Sequence, residues 1–91
     1  MKLPQKKVAI IITTYNQSDL LKICLLSLKK KTDYKNYKAY VVDDSGKGEI
    51  GEEIKKRFSW IDTIINKKNL GFSKANNIGI KKALKEYNPD Y

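Results

Sequence analysis

Three short apolar runs, VAIII at 8–12, AYVV at 39–42 and IDTII at 61–65, recur along the chain with amphipathic stretches between them. The first is β-branched and without alternation, as a strand covered on both faces of a parallel sheet must be. The second is similar and shorter. The third carries Asp62 and Thr63 inside it, which places it nearer an edge.

The stretches between have helical spacing. Residues 18–31 set Leu20, Leu21, Cys24, Leu25 and Leu28 on one wide stripe, with Ser18 placed to cap and Asp19 at the positive end of the helix dipole. On this pattern Cys24 is a small core residue. Residues 49–58 repeat the spacing with Ile50, Ile54 and Phe58, and residues 72–87 carry Phe72, Ala75, Asn76, Gly79, Ala83 and Tyr87 on one side before Asn88-Pro89 stops the helix.

The order β-α-β-α-β-α, with right-handed crossovers, gives an α/β fold: βαβαβα on a parallel sheet, with helices on both faces in three layers or packed against one. At 91 residues the chain is a single domain, 1–91. The alternation calls for a fourth strand after Asp90-Tyr91, so the domain reads as cut short there, with a naked sheet edge that invites self-association.

Composition narrows the chemistry. There is no histidine, which removes every His-dependent triad and the commonest metal ligand, and a lone cysteine forms no internal disulfide. That fits a reducing, cytoplasmic compartment. The N-terminal apolar run is too short for a signal peptide or a membrane span. Lys and Arg outnumber Asp and Glu by 19 to 10, but the lysines are scattered, which favours a solvated surface over a nucleic-acid site while leaving a basic module for nucleic acid or another polyanion as the alternative.

In parallel sheets ligands bind outside the carboxyl ends of the strands. Three clusters fall there: Thr13-Thr14-Tyr15-Asn16, Asp43-Asp44-Ser45-Gly46, and Asn66-Lys67-Lys68-Asn69-Leu70-Gly71. An aromatic ring, a carboxylate pair, amides, lysines and a helix start together suit a nucleotide, the ring for the base, the carboxylate for N–H and O–H donors, lysine and helix N–H groups for phosphate. Ordinary turn chemistry explains the same residue types one at a time, so both readings of the Asp pair stand. A receiver-like phosphate-sensing domain would put its acidic pair after the first strand, where Thr13 and Thr14 lie instead.

The segments VAIIITTYNQSDLLKICLLSL, AYVVDDS and NKKNLGFSKANNIGI resemble, in order and spacing, the amino-terminal half of family 2 glycosyltransferases, inverting enzymes of the GT-A fold that use nucleotide-diphosphate sugars. The resemblance covers about residues 6–86 and implies a Rossmann-like half of that fold. It implies that Thr13 and Tyr15 hold the nucleotide base, that Asp44 reads the edge of the ring and that Asp43 shapes the same pocket. Lys74 stands where a basic residue meets the diphosphate, Asn69 and Gly71 match the turn before the third helix, and Asn77 and Gly79 match the N-x-G of that helix. The chain departs from the family at Gly46 and Gly48, which occupy positions of a Ser and an Asp.

The resemblance further implies a Mg²⁺ or Mn²⁺ ion in the full-length enzyme, carried by an acidic D-x-D motif beyond Tyr91, and an acceptor glycan or lipid-linked saccharide bound by a C-terminal half. It places such an enzyme in the cytoplasm, at the inner face of the membrane where it is membrane-associated. For this chain alone the expectation is donor binding without catalysis, no catalytic residue and no metal, because Asp43 and Asp44 are adjacent and lack a third acid nearby.

Overall fold

Strands β1 (Val8–Thr14), β2 (Tyr37–Asp43) and β3 (Ile61–Ile65) alternate with helices α1 (Ser18–Lys31), α2 (Glu49–Arg57) and α3 (Phe72–Glu86) in a computed structural model that describes residues 6–15, 18–31 and 36–91. The strands form one parallel sheet in the order β1-β2-β3. Val8 pairs with Tyr37 and Thr14 with Asp43, while Ala39 pairs with Ile61 and Asp43 with Ile65. All three strands therefore finish level, and their following loops share one rim.

The β2 run is the most buried because it is central: Tyr40, Val41 and Val42 are inaccessible to solvent. Its side chains alternate between two layers. Ala39 and Val41 join Leu21 and Leu25 of α1 and Ile50, Ile54 and Phe58 around α2 in one apolar cluster, with Ile10 and Ile12 packed against it. On the opposite face α3 lies across β1 and β2, close enough that a methyl group added at Gly79 would stand 2.7 Å from Ile11 Cγ2 and 3.0 Å from Val42 Cγ2. Ala75, Gly79 and Ala83, one turn apart, are the buried face that permits this approach. The result is the three-layer, Rossmann-like α/β arrangement expected.

Two packing expectations change. Cys24 is exposed, because α1 turns inward along Leu21, Leu25 and Leu28 and leaves Cys24 beyond the edge of that narrower stripe. Phe72 is 74% exposed rather than part of the inner face of α3, since it is the first residue of the helix and the buried face begins only at Ala75. The capping roles expected of Ser18 and Asp19, and the position of Leu20, concern side chains outside the described set.

α3 ends as its sequence foretells. The N–H groups of Tyr87 and Asn88 both donate to the carbonyl of Ala83, and Asn88 adopts the left-handed conformation at φ 50° before Pro89. The chain then reaches the outer side of β1. Tyr91 N–H donates to the Lys7 carbonyl at 3.1 Å and Ala9 N–H to the Tyr91 carbonyl at 2.8 Å, so Tyr91 brackets Val8 in the pattern of a parallel ladder. The Lys7 N–H donates to Asp90 Oδ2, and the Lys7 ammonium lies 5.4 Å from the centre of the Tyr87 ring.

Candidate functional site

The end of β2 organises the rim. Asp43, fully buried, turns its carboxylate back toward α2: Oδ2 accepts the N–H of Gly51 at 2.8 Å and Oδ1 that of Ser45 at 3.0 Å. Helix α2 starts at Gly48 with no side-chain cap of its own, so Asp43 supplies a carboxylate to its first turn from the neighbouring strand. Gly51 is required for that closeness, because a β-carbon there would lie 2.9 Å from Ile65 Cδ1 and 3.2 Å from the Asp43 β-carbon.

Asp44 points the other way. Its Oδ1 accepts the Leu70 N–H and the Asn66 side-chain amide, each at 2.9 Å, and its Oδ2 accepts the Gly71 N–H at 3.0 Å. Burial raises the pKa of this carboxyl, but the donors Leu70, Asn66 and Gly71 together outweigh it, so the group lies below its ordinary value of 3.8. Asp44 is therefore an anion whose oxygens are aimed by the loop that follows β3. A carboxylate offers about four acceptor positions and three are used, which leaves one on Oδ2.

Loop 66–71 in turn starts α3. Asn69 is exposed and its Oδ1 accepts the Gly71 N–H at 3.0 Å, and Gly71 holds φ at 93°, a value an L residue rarely adopts. The first intrahelical donor is Ala75, bonded to the Gly71 carbonyl, so the N–H groups of Phe72, Ser73 and Lys74 have no acceptor within α3. No acidic side chain occupies that first turn, and Lys74 is exposed on it. The helix start is thus a positive end directed at the rim.

Thr13 and Tyr15 complete the constellation from β1. The Thr13 hydroxyl donates to Asn76 Oδ1, a hydrogen bond that ties β1 to α3. Tyr15, just past the strand, is 56% exposed. Asn77 is exposed on the outer side of α3, so the amide that meets the sheet is Asn76. Sequence periodicity put Asn76 on the inner face but did not mark it as a site residue. Asn66 and Leu70, which hold Asp44, lie in the cluster after the third strand but had no role assigned, since a strand-end Asn and a backbone N–H carry no composition signal.

A divalent cation finds no ready seat among the described residues, where no three acidic or cysteine side chains converge. Asp43 and Asp44 already spend oxygens on internal donors, and a hard ion wants about six.

Residues 9–88 match the family described as Glycosyl transferase family 2. The chain is 38% identical over 77 residues to the glycosyltransferase GlyA of Streptococcus pneumoniae serotype 4 (strain ATCC BAA-334 / TIGR4), a match over 81% of this chain. It spans about 11% of the length of that relative.

Proposed function

Since the chain belongs to glycosyl transferase family 2, we propose that its rim binds the nucleotide-diphosphate part of a sugar donor, for inverting transfer of the sugar to an acceptor glycan or lipid-linked saccharide held by other parts of a longer enzyme. The observation that carries this is the fastening of Asp44 to Leu70 and Gly71, which sets a carboxylate beside an uncapped helix start. One end of the rim accepts hydrogen bonds and the other donates them. A nucleotide offers the complementary order, with N–H and O–H donors on base and ribose and acceptor oxygens on phosphate.

In this reading the exposed ring of Tyr15 stacks on the base, and Asp44 accepts from the base edge with its remaining lone pair. The diphosphate meets the N–H groups at the start of α3 and the Lys74 ammonium. Thr13, Asp43, Asn69 and Gly71 hold the frame, and Asn77 lines its outer margin.

The chain alone binds and does not transfer, because Asp43 is fully buried against α2 and the one remaining lone pair of Asp44 is taken by the base edge, so neither is left to take the proton of an acceptor hydroxyl. Turnover of a nucleotide-sugar by the purified chain would overturn that part. The binding reading is tested by amide-shift NMR titration with UDP, GDP and dTDP, with and without Mg²⁺. Saturable shifts confined to residues around Tyr15, Asp44 and 69–77 are expected for one of the bases. A folded chain whose spectrum ignores all three refutes donor binding by this segment.

A further inference from the structure

The pole opposite the rim carries a second surface with different chemistry. Trp60 stands just before β3, edge-on to Phe58 at 6.5 Å between ring centres. On one side of it opens a cleft of about 610 Å³ lined by Leu26, Lys29, Lys30 and Arg57, and on the other a second of about 470 Å³ lined by Lys38 and Lys55. Arg57 and Lys38 each have an acidic neighbour, Glu53 and Asp62, at 3.6 Å. Lys29, Lys30 and Lys55 have no acidic partner among the described residues.

Leu26 is 59% exposed beside these cations, and Ile23, one turn earlier on α1, is 62% exposed. Helix α1 thus has a second apolar stripe on its solvent side, and it runs toward Trp60.

We propose that this pole is a peripheral docking surface for an anionic lipid bilayer, with Trp60 at the headgroup level, Leu26 and Ile23 entering the acyl boundary and the cations meeting lipid phosphates. Each residue type has a match at a membrane interface: indole at the belt, aliphatic chains below it, and lysines drawn by the negative surface potential. Nucleic acid is the poorer fit. Base stacking needs a free aromatic face, but the Lys29 ammonium lies over the Trp60 ring at 5.1 Å from its centre, and exposed aliphatic side chains gain nothing from a phosphate backbone. Docking by this pole leaves the opposite rim facing the aqueous phase. The inference does not depend on the rim binding a nucleotide.

Trp60 is the single tryptophan, so it reports on its own contact. The 91-residue chain is titrated with vesicles of phosphatidylcholine alone or mixed with phosphatidylglycerol, each also prepared with brominated acyl chains. A blue shift and bromine quenching on the mixed vesicles only are expected. Lys29→Gln with Lys30→Gln should weaken partitioning on the order of 30-fold, and Leu26→Asn should remove the quenching while some charge-driven association persists. These exposed positions leave the fold intact, which circular dichroism checks. Emission that ignores every vesicle overturns the proposal and leaves the cations as complements to the C-terminal ends of α1 and α2. So does partitioning that the Lys29/Lys30 variant retains, or a shift produced by an oligonucleotide and by no vesicle.

Discussion

The Gly71 N–H donates to Asp44 Oδ2 across 27 residues of sequence, and through that bond the end of β2 fixes the first turn of α3. Because Leu70 and Asn66 add to it, the carboxylate is part of the frame as well as a candidate ligand group.

Asp44→Asn keeps the shape but sets an amide NH₂ against backbone donors. Hydrogen bonds to a charged acceptor contribute about 1.5–3 kcal/mol, so the variant should lose about 2 kcal/mol in urea unfolding. A midpoint equal to wild type would show that loop 66–71 holds α3 without the carboxylate.

Acid should reveal the same group. Asp44 has a folded-state pKa below its ordinary 3.8, and Glu53 is likewise depressed, first by its hydrogen bond from Lys22. A depressed carboxyl stabilises the fold fully above its unfolded value and loses that contribution as pH falls through the folded one. The melting temperature of wild type should therefore drop below pH 3.8 more steeply than that of Asp44→Asn, which has no proton to gain there. Parallel curves would assign the acid sensitivity to other carboxylates.

Gly79→Ala sets two effects against each other. Alanine favours a helix by about 1 kcal/mol over glycine, but its β-carbon would press on Ile11 and Val42 at 2.7 and 3.0 Å, where overpacking costs about 1–3 kcal/mol. Both contacts are on strand residues that cannot swing aside, so net destabilisation is expected. A more stable variant would mean that α3 lifts off the sheet at little cost.

Tyr15→Ala should be silent in stability, since its ring is 56% exposed, with a change within about 0.5 kcal/mol. Nucleotide affinity should fall on the order of tenfold through loss of stacking. Calorimetric titration against the same nucleotide separates this variant from Asp44→Asn, which weakens frame and ligand contact together.

Much of the architecture was legible because burial in a parallel sheet imposes unalternated β-branched runs, and the third strand and first helix fall where expected, at 61–65 and 18–31. Strand ends were less so. β1 continues through Thr13-Thr14 and β2 begins at Tyr37-Lys38, where half-polar residues pair along the ladder without an apolar signature. Cys24 misled because leucines surround it in sequence, and only the tilt of α1 on the sheet decides which of them turn inward. The Asp pair was legible as a strand end but not in its division of labour. Neighbouring residues on a strand face opposite layers, so Asp43 fell to α2 and Asp44 to the loop before α3, and that depends on which helix packs on which face.

The bracketing of Val8 by Tyr91 also sets a reach. A segment joined after Tyr91 enters the outer side of β1 already in register and, climbing parallel to it, comes level with Thr14 as soon as it has covered the length of that strand. At about 3.3 Å per residue it needs no loop to get there. Side chains carried on such a segment would be delivered straight to the mouth of the rim beside Tyr15, with their distance from Asp44 set by the spacing between neighbouring strands and not by the chance course of a flexible connection.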